Sequence, residues 1–224
     1  SLLEAVRDGT ISRARLDRSL RRILSLKLRR GIIDNPPPPR DEALAMLGEG
    51  EEGREIADEI ASRAVTLVRG SAGLTPIEAS VHERIVVLSA NRAFAAEMAS
   101  HFPRARVVHT PAVPSAARHR NDLAATRRLA AGAELLVIGA MNGYQAEMVG
   151  ALEATGVPTV VVSLGSPYML SEFPDIDAYL VTYSYQPPAA RAAARFLAGE
   201  IEASGRLPVS LPGLYPIGHT AAQN

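Results

Sequence analysis

Short apolar runs alternating with helix-patterned segments are the feature that most constrains this fold. They are clearest in Val157–Tyr183, VPTVVVSLGSPYMLSEFPDIDAYLVTY. Thr159–Leu164 and Ala178–Tyr183 are each too short for an ordinary helix and apolar at nearly every position. Strands of that composition are buried on both faces, which requires a parallel sheet covered by helices above and below. Similar runs recur at Val65–Val68, Arg84–Ser89, Arg106–His109 and Glu134–Gly139, separated by helical patterns at 92–101, 121–131, 144–154 and 188–197. A short helix is expected at 167–173, capped by Ser166 with Pro167 in its first turn. The expected class is α/β: a mostly parallel sheet of about six strands with helices on both faces (an α/β sandwich), preceded by a short helical arm.

The arm comprises a helix over Leu2–Asp8 closed by Gly9 and a second over Arg15–Arg30 capped by Ser12. In the second, Leu16, Leu20, Ile23, Leu24 and Leu28 share one face. Eight basic residues between Arg13 and Arg30 decorate it, and a solvated or acid-paired face accounts for them better than nucleic acid. The prolines at 36–39 rule out helix interior and favour an extended spacer. The expected division is therefore 1–34 for the arm, 35–48 for a Pro-rich linker and 49–224 for the sandwich. Pro208 and Pro212 keep the closing segment extended, along a sheet edge or a surface track.

Composition narrows the function. Twenty-four basic and 24 acidic residues in 224 give zero net charge, which argues against a whole-domain footprint for nucleic acid or anionic membrane. No apolar run approaches a membrane span. The chain has no Cys, hence no disulfide framework and no thiolate chemistry; that leaves the compartment open, with a lean to the cytoplasm. The five His residues lack paired-ligand spacing, so neither metal nor cofactor is expected.

Several groupings have the residue types that chemistry needs. Glu172, Asp175 and Asp177 cluster as glycosidic carboxylates would, but they lie in a polar connection where solvation suffices. Ser163 and Ser166 lack the G-x-S-x-G elbow of a nucleophile. Gly139–Gly143 opens a helix after a strand but matches no phosphate-loop pattern. The remaining candidates are polar residues at strand ends, which topology would gather on one rim: Asn91, Asn142, Tyr144, Gln145, Ser166, Tyr168, Tyr183 and Ser184. They are expected to flank a ligand, and no catalytic residue is assigned.

Taken in order, Ala5–Ser12 with Arg22–Lys27, Ile56–Val68, Val160–Tyr168 with its LGSPY, Ala178–Ser184 and Gly199–Ser210 resemble glycoside hydrolase family 3, near its β-N-acetylhexosaminidase members. The resemblance implies that residues 1–34 correspond to the last helices of a (β/α)8 barrel. It also implies a carbohydrate substrate bound mainly by that barrel, which supplies the Asp nucleophile and, in the hexosaminidase branch, a His acid/base. Glucosidase-type members take an acid/base Glu from the second domain, but no motif transfers that role to Glu172 or Glu147. The implied role is a mainly structural, substrate-flanking domain, inactive on its own, whose exposed arm could self-associate. Two other readings stand beside it: a free-standing binding module for a small ligand, and a non-catalytic interaction domain using the basic arm.

Overall fold

The computed structural model describes residues 1–35 and 51–222; the expected proline spacer lies outside them. Contacts divide the chain into Ser1–Gly53 and Arg54–Asn224. The first unit holds α1 (Leu2–Arg7) and α2 (Arg13–Arg29), capped by Ser1 and Ser12. Gly31, at φ 66°, follows α2 in the left-handed region that only glycine enters cheaply. Neither helix buries a residue: Leu20, Ile23 and Leu24 are 51%, 52% and 42% exposed.

The second unit begins within α3 (Glu51–Ala64) and continues through β1 (Thr66–Arg69), β2 (Ile85–Ser89), α4 (Arg92–His101), β3 (Arg106–His109) and α5 (Ala116–Ala130). It then runs through β4 (Leu135–Ala140), α6 (Gly143–Glu153), β5 (Thr159–Ser163), β6 (Ala178–Val181) and α7 (Pro187–Leu197). The strands form one six-stranded sheet in the order β1-β6-β5-β4-β2-β3, parallel except for β1 against β6. The expected α/β sandwich is therefore what the chain forms. Alternate side chains of each strand face opposite cores. Ile85, Val87, Val160 and Val162 pack beneath Phe94, Met98 and the alanines of α7. Val86, Leu88, Ile138 and Val161 pack against Val149, Leu152, Leu170 and Phe173 on the other face.

Three boundaries differ from the sequence reading for physical reasons. Helix α5 starts at Ala116, five residues before the expected Asn121, because Ser115 caps it by accepting from the Arg118 amide; residues 116–120 hold no large apolar side chain from which a periodicity argument could start. Residues Pro167–Glu172 form a 3-10 helix. Strand β6 stops at Val181 because Tyr183 adopts φ 58° and turns the chain away.

The closing segment protects the antiparallel edge. Gly205 N–H donates to Val65 C=O at 2.9 Å and Ala221 N–H to Leu67 C=O at 2.7 Å. Backbone groups on the outer side of β1 thus find partners that an open edge would leave to another chain.

Candidate functional site

Strands β2, β4, β5 and β6 point the same way, so their carboxyl ends share one edge, about 14 Å across at the usual strand spacing. All eight rim candidates fall beyond those ends: Asn91 after β2, Asn142, Tyr144 and Gln145 after β4, Ser166 and Tyr168 after β5, Tyr183 and Ser184 after β6. The strand order places the topological switch between β2 and β4, since β3 lies on one side of β2 and β4 on the other. Doubly wound sheets open a crevice at that point. The sequence directed attention to β5, one strand further along.

Much of the rim is occupied in building its own loops. Asn91 Oδ1 accepts from the Phe94 amide at 3.0 Å, capping α4, and its Nδ2 donates to Tyr185 C=O at 2.7 Å. Asn142 caps α6 by accepting from the Tyr144 amide, and its Nδ2 donates to Ala112 C=O at 2.9 Å. Buried Gln145 completes the capping box by accepting from the Asn142 amide at 3.2 Å and donates to Pro111 C=O. Ser166 accepts from the Tyr168 amide and Ser184 from the Gln186 amide. Tyr183 donates its hydroxyl to Thr66 Oγ1 at 3.0 Å, and its burial raises the phenol above its ordinary value.

Two rim side chains project with hydroxyls that bond to nothing among the described residues: Tyr144, 37% exposed, and Tyr168, 48% exposed. The Tyr144 ring meets the edge of His119 at 5.4 Å, and His119 Nε2 lies 2.7 Å from Glu147 Oε2. These two exposed aromatic faces are the part of the rim left open to a ligand.

Other candidates separate from the rim. Ser163 is fully buried and donates to Ser166 C=O at 2.8 Å, so its hydroxyl fixes the turn after β5. Asp175 and Asp177 stand at the opposite, amino edge, where Asp177 accepts from the Thr159 amide at 2.8 Å. Burial there, with the two aspartates facing it, raises the Glu153 carboxyl. Carboxylates on the far edge of the sheet cannot attack a ligand held at the rim.

Two contributors went unmarked in the sequence. Buried Ser89 donates to Gly139 C=O at 3.2 Å and accepts from the Asn91 amide at 3.0 Å, joining β2 to β4 at the switch. Thr110, next to β3, is 9% exposed and its Oγ1 has no hydrogen-bond partner among the described residues. A strand-end hydroxyl is the only sign either carried in one dimension.

A six-stranded, mostly parallel sheet with a polar carboxyl rim and one covered edge defines a doubly wound α/β domain. In this chain residues 138–219, from β4 to the closing segment, match the glycosyl hydrolase family 3 C-terminal domain. The chain is similar to the beta-N-acetylglucosaminidase/beta-glucosidase of Cellulomonas fimi, 27% identical over 230 residues, covering 91% of this chain and 40% of that protein. It is also similar to the lysosomal beta glucosidase of Dictyostelium discoideum, 32% identical over 87 residues, or 38% of this chain and 10% of that protein. Among solved structures, a family 3 beta-N-acetylglucosaminidase from Paenibacillus sp. str. FPU-7 shares the fold at TM-score 0.62 and 24% identity, covering 91% of this chain and 41% of that one. The chain thus spans well under half the length of these relatives.

Proposed function

We propose that this chain is the barrel-flanking domain of a retaining glycoside hydrolase acting on β-N-acetylhexosaminides. The observation that carries the reading is the family match running from β4, at the sheet's switch point, through the closing segment. The substrate class rests on the hexosaminidase-like strings and on the name of the Cellulomonas fimi relative. In this reading residues 1–34 are the closing helices of a (β/α)8 barrel, 35–48 the linker and 49–224 the sandwich. The unburied apolar face of α2 supports the arm's assignment, because such a face belongs against another layer.

Chemistry in a retaining enzyme needs a nucleophile and an acid/base set about 5 Å apart across the glycosidic bond. Both belong to the barrel in the hexosaminidase branch. The domain's own share is the rim, where Asn91, Asn142, Gln145, Ser166, Tyr183 and Ser184 hold the loops in shape and Tyr144 and Tyr168 offer faces to the sugar.

The test is hydrolysis of a chromogenic N-acetylglucosaminide. The 224-residue chain alone is expected to release nothing above buffer. In the protein that joins it to its barrel, Tyr168→Ala and Tyr144→Ala should raise KM about 3- to 10-fold, the loss of one modest contact each. Turnover by the isolated chain, with barrel contamination excluded by mass spectrometry, would overturn the division of labour; an unmoved KM in both variants would remove the rim from the substrate.

A further inference from the structure

The two open tyrosines of the rim differ in how they are held. Tyr168 makes no ring contact among the described residues. Tyr144, in the first turn of α6, is met by His119 from α5, with ring centres 5.4 Å apart and planes inclined at 69°. That edge-on pairing is a favoured arrangement of two aromatic rings.

The His119 ring is itself fixed. Its side chain is 12% exposed, and Nε2 lies 2.7 Å from Glu147 Oε2. A carboxylate only accepts, so the Nε2 proton donates to it. The helices carrying the two residues are packed side by side, with Thr126 Oγ1 donating to Met148 Sδ at 3.9 Å and Arg127 Nε to Ala151 C=O at 3.5 Å. The loop before α5 is tied to the start of α6 as well, since Asn142 Nδ2 donates to Ala112 C=O and Gln145 Nε2 to Pro111 C=O. Residues 142, 145 and 147 thus each bond to the 111–119 segment. Tyr144 stands among these ties, and none of them uses its hydroxyl.

We propose that His119 is a positioning residue for binding at the rim: clamped by Glu147, it holds the Tyr144 ring in the orientation that meets the sugar. The inference rests on the reading of Tyr144 as a sugar contact and adds what sets the orientation of that contact. An exposed side chain that settles into one rotamer only on binding gives up conformational freedom at that moment, which weakens the complex. A ring already held against His119 has given up that freedom in the free protein. Tyr144 is therefore the pre-organised member of the pair, and Tyr168 is ordered only by the ligand.

Two measurements test it. In the 224-residue chain, the Hα–Hβ couplings of Tyr144 read by NMR should report a single rotamer. They should average in His119→Ala and in Glu147→Ala, and recover in His119→Phe, which keeps a ring beside Tyr144. In the protein that joins the chain to its barrel, His119→Ala should raise KM for the chromogenic N-acetylglucosaminide about 3-fold with kcat unchanged. In a Tyr144→Ala background the same change should add nothing, because the two residues act as one. A single Tyr144 rotamer in both His119→Ala and Glu147→Ala, an unmoved KM in His119→Ala, or full additivity with Tyr144→Ala overturns the positioning role while leaving Tyr144 as a contact. An unmoved KM in Tyr144→Ala instead removes the sugar contact, and the positioning role falls with it. Glu147 is exposed, so its variant remains informative if His119→Ala fails to fold.

Discussion

Tyr183 carries a left-handed backbone, φ 58°, that side chains other than glycine enter at a cost, and its hydroxyl bond to Thr66 holds it there. Tyr179, in β6, is fully buried with its hydroxyl donating to Pro167 C=O at 3.2 Å. Burial raises both phenols above the ordinary value of 10.0. The folded state therefore keeps protons that the unfolded chain releases above pH 10. Stability from this source is complete below the unfolded value and is lost as pH rises toward the folded values. Urea unfolding at about pH 8 and about pH 11 should show the decline, and Tyr183→Phe should make it shallower; equal slopes in the two proteins would contradict the assignment. A second residue-scale prediction concerns close approach. A Cβ on Gly205 would lie 2.6 Å from Ala64 C=O and 2.7 Å from Val65 C=O, where nothing flexible can yield. Gly205→Ala should cost about 1–3 kcal/mol. At Gly150 in α6 a Cβ meets nothing within 4 Å, so Gly150→Ala should stabilise by about 0.5–1 kcal/mol. Chemical denaturation of the pair checks both signs.

At the scale of elements, the edge strand β1 is secured by one cation. Arg69 Nε donates to Tyr215 Oη at 3.1 Å, and its NH1 donates to the carbonyls of Ile176, at 3.2 Å, and Pro174. The guanidinium carbon also stands 6.0 Å from the centre of the Tyr215 ring, and that ring stacks on His219 at 4.1 Å. One side chain thus ties the strand, the loop into β6 and the closing segment. Arg69→Met keeps the apolar stem and strands two carbonyls, so it should cost about 2–4 kcal/mol. Hydrogen exchange should then rise first at the Gly205 and Ala221 amides, whose bonds hold the cover on β1; protection unchanged there would show the cover to be independent of Arg69. On the opposite side, Arg191 in α7 meets Asp58 in α3 at 2.5 Å. That pair is more than a third exposed on both sides, and removing it should change stability by less than about 1 kcal/mol.

For the whole molecule, the first unit stands out. It buries none of its helical residues, and its apolar groove of about 540 Å³ is lined by Leu2, Ile11, Leu16, Leu20 and Ile23. Exposed leucines at this density drive association when no covering layer is supplied. Sedimentation of the 224-residue chain should show concentration-dependent association, and Leu20→Gln with Ile23→Gln should abolish it. A monomer at all concentrations would refute self-association through the arm.

Buried strands needed no tertiary information to be found. Ile85–Ser89, Leu135–Ala140 and Thr159–Ser163 are apolar at nearly every position and buried on both faces, and that composition alone demands helices above and below. Caps at Ser12 and Ser166 were equally legible, because a side-chain oxygen beside a helix start has few other uses, whereas Asn91, expected to flank a ligand, turned out to cap α4. That the rim residues lie at strand ends also followed from their positions. Strand order did not, since pairing between strands distant in sequence is decided by which faces the crossing helices can cover. Hence the switch point between β2 and β4, the Ser89 bridge across it, and the meeting of His119, Tyr144 and Glu147 beside the rim were invisible in one dimension. Local periodicity and composition set the elements and their layers; which polar groups face one another was set only when the chain closed into a sheet.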